Sequence, residues 1–115
     1  HVDSSAASDV YKRQQLHPTY RERRDRVVET LRARGWSVPC PEMAMYLWFP
    51  LPDAAHRRGW SDEDAARELL QRSGVALTPG SGFGVGGRQW LRMALVRPVN
   101  ELVDAASRLA DAMDD

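Results

Sequence analysis

The sequence predicts an α/β fold, a small two-layer sandwich in which helices pack on a short mixed sheet. Three observations carry that prediction. Apolar residues recur at helical spacing near both ends of the chain. One continuous apolar run, and a second broken only by Arg92, have the length and side-chain types of strands. Glycine and proline punctuate the boundaries between them. The expected order is helix, strand, helix, strand, loop, strand, helix. A length of 115 residues suits one domain, and 43% hydrophobic with 28% charged residues is ordinary globular composition.

The opening stretch, residues 1–14, stands apart. It begins with His1, is rich in Ser, Ala and Asp, and has no amphipathic period. Its residues 4–14 resemble a string found on many unrelated metagenomic reading frames, translated sequencing adapter. We therefore expect a non-native or disordered leader over 1–14 and a domain over 15–115. Lys12 is the only lysine, so residues 15–115 contain none.

The first helix is expected over residues 16–34. Leu16, Tyr20, Val27, Val28 and Leu31 fall on one stripe, arginines cover the rest, and Gly35 follows as a stop. Pro39 and Pro41 then break the backbone. The run over 43–49, Met-Ala-Met-Tyr-Leu-Trp-Phe, ends at Pro50 and Pro52 and reads as a buried strand. Ser61 caps the next helix with Asp64 completing a capping box, and Ala65, Ala66, Leu69 and Leu70 form its inner stripe before Gly74 closes it. A short strand over 75–78, a glycine-rich loop over 79–87 and a strand over 90–96 follow. Asn100 can cap the last helix, in which Leu102, Ala106, Leu109 and Met113 share a face.

Composition excludes several classes of function. Sixteen basic and sixteen acidic side chains leave no net charge to draw the protein toward nucleic acid or an anionic membrane. The charges are unevenly placed, however. Residues 16–34 hold six arginines against three acids, and 99–115 hold five acids against one arginine. Arg23, Arg24, Arg26, Arg32 and Arg34 are interleaved with Glu22, Asp25 and Glu29 and lack companion aromatics, so a solvated helix face outweighs a nucleic-acid surface. The single Cys40 allows no intrachain disulfide, and His1, His17 and His56 have no metal-ligand spacing. No apolar run approaches the ~18 residues of a membrane-spanning helix. Neither nucleic acid, nor membrane, nor metal is an expected partner.

Residues 82–87 satisfy G-x-G-x-x-G after a strand, but the residues that follow read as another strand, so no helix N-terminus is offered to a pyrophosphate. A tight turn beside the sheet is the stronger reading. Trp36, Trp48, Trp60 and Trp90 read as core residues. Arg92 is the anomaly. It sits inside Trp90-Leu91-Arg92-Met93-Ala94-Leu95-Val96, on the same face as Trp90, Ala94 and Val96. A guanidinium there pairs either with an internal carboxylate or with an anionic ligand, and spacing alone leaves both open.

Three segments resemble one family. Residues 20–34 (YRERRDRVVETLRAR), 43–52 (MAMYLWFPLP) and 78–96 (TPGSGFGVGGRQWLRMALV) together look like the closing third of a class I/II, fold type I, pyridoxal-phosphate-dependent aminotransferase. The resemblance implies that the chain is the C-terminal small domain of such an enzyme and that residues 45–48 form a central strand. It also implies that the loop over 80–84 borders the substrate side of the cleft. Arg92 would then hold the substrate α-carboxylate, since a guanidinium fork binds a carboxylate bidentately. The implied cofactor is pyridoxal 5′-phosphate and the implied substrates are an amino acid and a 2-oxo acid. The M-Y-L-W and F-G-V-G-G forms lean toward alanine- or diaminopimelate-type enzymes. No catalytic or cofactor-binding residue is assigned to this chain, whose residues 15–115 lack the Schiff-base lysine, so it is expected to be inactive alone. The complete protein is expected to be a cytoplasmic homodimer. Other fold type I enzymes (lyases, decarboxylases, synthases) share this domain, and a non-catalytic α/β binding module is the remaining alternative.

Overall fold

The computed structural model describes residues 18–40 and 45–114. Residues 1–14, together with Leu16 and Met43 of the predicted elements, lie outside the described residues. Helix α1 spans Pro18–Ala33, strand β1 Tyr46–Pro50, the short helix α2 Asp53–Arg57 and helix α3 Asp62–Ser73. Strand β2 is Thr78–Pro79, β3 is Trp90–Ala94 and helix α4 is Val99–Asp114. Two 3₁₀ turns, Gly80–Phe83 and Val85–Gly87, fill the glycine-rich segment between β2 and β3. Helices packed on a small sheet are the expected two-layer arrangement.

Within the sheet the order is β1-β3-β2, and both pairings are antiparallel. The expected mixed sheet is therefore corrected. The cause is topological: β1 and β2 do run in the same direction, joined across α2 and α3, but β3 returns between them and meets each in the opposite sense. For the same reason β1, expected to be a central strand, lies at the edge, and β3 is the central one. Beyond β1 the ladder gains a bond at each end, Leu95 N–H to the Met45 carbonyl (2.8 Å) and Leu51 N–H to the Gln89 carbonyl (2.9 Å).

Period-2 alternation sends Leu47 and Phe49 of β1, and Leu91 and Met93 of β3, into the core, which is closed by Val27, Leu31, Leu69, Leu102, Ala106 and Leu109 of the long helices. Trp36 is buried and tilts against Phe49 with ring centroids 5.6 Å apart. The capping box on α3 forms in both directions: Ser61 Oγ accepts from Asp64 N–H (3.1 Å), and Ser61 N–H donates to Asp64 (3.1 Å). Gly74 ends α3 at φ 77°, a left-handed conformation that favours glycine.

Four local expectations are corrected. Leu70 is 48% exposed and leaves the inner stripe to Ala65, Ala66 and Leu69, because α3 turns a narrow face to the core. Asn100 lies inside α4, whose first bonds, from Glu101 and Leu102 N–H, go to the Pro98 carbonyl (3.0 and 3.1 Å). Strand β2 is shorter than 75–78 because only Thr78 and Pro79 find partners on β3. Of the four tryptophans, Trp36 is buried and Trp60, half-buried, packs against the core as expected; Trp48 and Trp90 are partly exposed on the opposite face of the sheet.

Candidate functional site

The alternation that buries Leu47, Phe49, Leu91 and Met93 turns Tyr46 and Trp48 of β1 and Trp90 and Arg92 of β3 to the opposite face of the sheet. Register then places Arg92 directly across from Trp48 on one side and from Thr78 on the other, with Tyr46 its diagonal neighbour. The Arg92 guanidinium carbon lies 4.2 Å from the Tyr46 ring centroid and 4.9 Å from that of Phe83. Phe83 in turn meets Trp48 edge-on, centroids 5.2 Å apart and planes at 78°. Cation-π attraction steadies the guanidinium and leaves its in-plane N–H donors available. Among the described residues no carboxylate forms an ion pair with Arg92; the ion pairs there involve other arginines. Of the two partners left open by the sequence, the internal carboxylate is not found among these residues. The geometry can hold an anion against an aromatic surface.

Phe83 reaches this face because the segment before β3 is folded tightly. Gly80 and Gly87 approach backbone to backbone: a Cβ on Gly80 would stand 2.1 Å from the Gly87 carbonyl oxygen, and one on Gly87 2.0 Å from that of Gly80. Two 3₁₀ turns lead into a strand, so the G-x-G-x-x-G string is the tight turn and provides no helix N-terminus for a pyrophosphate. Asp62, at the first turn of α3 and only 4% exposed, accepts Ser81 N–H (2.8 Å) and Gln89 N–H (3.4 Å) on its two carboxylate oxygens. Burial pushes its pKa up, yet the hydrogen bonds from Ser81 and Gln89 outweigh that and hold it below the ordinary carboxylate value. Gln89 sits at φ 66°, turning the chain into β3. The sequence reading missed Asp62, since nothing but its place beside Ser61 distinguishes it from the capping acids around it.

The family model for aminotransferase class I and II matches residues 4–109, a span that begins within the stretch 1–14 set aside above. The chain belongs to the class I and II aminotransferase family. Relatives within it include an LL-diaminopimelate aminotransferase of Desulforudis audaxviator, 40% identical over 84% of this chain and 23% of that protein. Another is an LL-diaminopimelate aminotransferase of Dehalococcoides mccartyi, 38% identical over 80% of this chain and 22% of that protein. Among solved structures, a probable N-succinyldiaminopimelate aminotransferase from Thermus thermophilus is 44% identical with a TM-score of 0.68, over 82% of this chain and 24% of that one. An aspartate aminotransferase of Thermotoga maritima is 30% identical with a TM-score of 0.72, over 84% of this chain and 24% of its own. This chain thus spans about a quarter of the length of the aminotransferases it matches.

The remaining candidates serve the aminotransferase fold itself. Arg23 Nη1 donates to the Leu95 carbonyl (3.1 Å), Arg32 Nε to that of Val38 (2.8 Å), and Arg34 pairs with Asp111 (2.9 Å) and Asp114. The basic first helix and the acidic last helix therefore meet, and, with Arg24 paired to Asp25 (3.0 Å), four of the five arginines weighed as a nucleic-acid surface have partners within the chain. Cys40 is exposed. Among the described residues no group of three His, Cys, Asp or Glu is placed to hold a metal, and no helix is long and apolar enough to cross a membrane.

Membership implies dependence on pyridoxal phosphate. The described residues do not fit the anchoring of that cofactor: they contain no lysine, Lys12 lying outside them, and the glycine-rich turns lead into a strand rather than a helix that could cradle a phosphate.

Proposed function

We propose that the complete protein is a pyridoxal-phosphate-dependent aminotransferase of diaminopimelate type, moving an amino group from an amino acid to a 2-oxo acid. In this reading residues 15–115 are its small domain, and Arg92 binds the α-carboxylate of the amino acid. The family match and the diaminopimelate names of the relatives support the reaction. One observation carries the role of Arg92: a guanidinium against the rings of Tyr46 and Phe83, on the sheet face opposite the core, with no carboxylate ion-paired to it among the described residues. A bidentate fork fixes the carboxylate as a plane and so orients the neighbouring Cα; a point-charge ammonium would not. Arg92 orients and selects substrate and does not move the proton. The cofactor supplies the electron sink when bound, and its anchoring groups are assigned to the part of the protein outside this chain. A cytoplasmic homodimer belongs to the same proposal.

The test is steady-state transamination by the complete protein. Arg92→Ala is expected to lower kcat/KM for the amino donor by about a hundredfold or more, as loss of a charge-assisted pair of hydrogen bonds dictates, and Arg92→Lys is expected to recover little of it. Unchanged kcat/KM in Arg92→Ala would refute the carboxylate role.

A further inference from the structure

We propose that Asp62 is a positioning residue for the substrate face: its carboxylate clamps both ends of the segment 81–89 and thereby sets where Phe83 stands against Arg92. Three observations converge on it. Asp62 is nearly inaccessible and receives the backbone N–H groups of Ser81 and Gln89, which lie on either side of the Gly80 and Gly87 contact. Ser81 and Phe83 belong to the same 3₁₀ turn, so the Ser81 anchor fixes the turn that carries the Phe83 ring. Gln89 is the residue before β3, its carbonyl bonded to Leu51 N–H, so the second anchor fixes the entry to the strand that carries Arg92. One buried side chain on α3 is thus hydrogen-bonded to both segments that meet at the guanidinium.

The charge matters as well as the shape. A carboxylate accepts on both oxygens, whereas an amide would keep one acceptor and turn an N–H₂ toward the other backbone donor. Asp62→Ala removes both acceptors and Asp62→Asn removes one, which predicts a graded series. Asp64 provides the comparison, because it caps the same helix end through Ser61 without touching the loop.

The proposal rests on the reading of Arg92 as the carboxylate site, and the experiment separates the two. Backbone hydrogen exchange and steady-state kinetics are measured on the complete protein as wild type, Asp62→Ala, Asp62→Asn and Asp64→Ala. Faster exchange over 80–91 in both Asp62 variants is expected, larger for Ala and absent in Asp64→Ala. The amino-donor KM is expected to rise about tenfold in Asp62→Ala with kcat changed far less, the mark of a displaced binding group. Unchanged exchange over 80–91 would overturn the clamp. Faster exchange with KM and kcat at wild-type values would overturn its positioning role. Equal effects from Asp64→Ala would reduce it to helix stability. If the wild-type protein fails to transaminate, the reading of Arg92 falls, and the exchange comparison still decides the clamp.

Discussion

Asp62 gives the residue scale a measurable consequence in pH. Its pKa is depressed in the folded state, so its bonds to Ser81 and Gln89 stabilise the fold at any pH above the ordinary carboxylate value and are lost as acid takes the pH below it through the folded value. Amide protection at Ser81 and Gln89 is therefore expected to be flat from neutrality down to the usual carboxylate range, then to fall before the helices unfold. NMR exchange across an acid titration checks this. Gly80 and Gly87 supply a second case. Alanine at either position meets a backbone carbonyl that cannot swing aside, and a loss of at least about 3 kcal/mol is expected by urea denaturation. Arg92 was legible in the sequence because a charge interrupts an otherwise apolar strand. Its aromatic neighbours and the role of Asp62 were not, since Tyr46 and Phe83 are brought to Arg92 by pairing between distant segments, and a buried aspartate is spelled like an exposed one.

At the scale of elements, the C-terminal end of α4 is where several helix ends meet. Arg34, just past α1, reaches Asp111 and Asp114; Arg58, at the end of α2, approaches the Met113 carbonyl (3.5 Å); Arg72, in the last turn of α3, approaches that of Ala112 (3.4 Å). These cations sit where the partial negative charge of a helix terminus accumulates. Both Arg58 and Arg72 also lie 5.1 Å from the centroid of the Trp60 ring. Trp60→Ala is expected to cost about 2–3 kcal/mol, since it removes packing and two cation-π partners together. Arg34→Ala is expected to cost far less than Trp60→Ala, since its carboxylate partners are largely exposed and solvent screens the pair. Thermal or urea melts of the two variants compare them directly. The three long helices were readable from the 3.6 period, and both the cap at Ser61 and the stop at Gly74 from their residue types; the short α2, Asp53–Arg57, was missed because five residues are too few to show a period. Strand extent was not, because a strand ends where its partner ends, and β2 has only Arg92 and Leu91 to pair with.

The two-layer arrangement follows from one-sided helices and apolar strands, and that much could be read in advance; that β1 alternates, burying Leu47 and Phe49 and leaving Tyr46 exposed, could not, because its run is apolar throughout. The antiparallel order could not, because nothing local to β3 says that it will enter between the other two strands. Without a lysine among residues 15–115, this chain supplied with pyridoxal phosphate, an amino acid and a 2-oxo acid is expected to give no turnover, and a coupled assay of 2-oxo acid formation checks it. The strand order also constrains how the molecule can be made. Since β1 and β2 touch only through β3, a nascent chain that has emerged as far as the glycine-rich turns holds two strands with no partner and an uncovered Leu47 and Phe49. Tyr46 waits for Ala94, about half the domain later in synthesis. A ribosome that stalls in that interval displays an apolar edge, so the last strand to be translated is the one that makes the sheet.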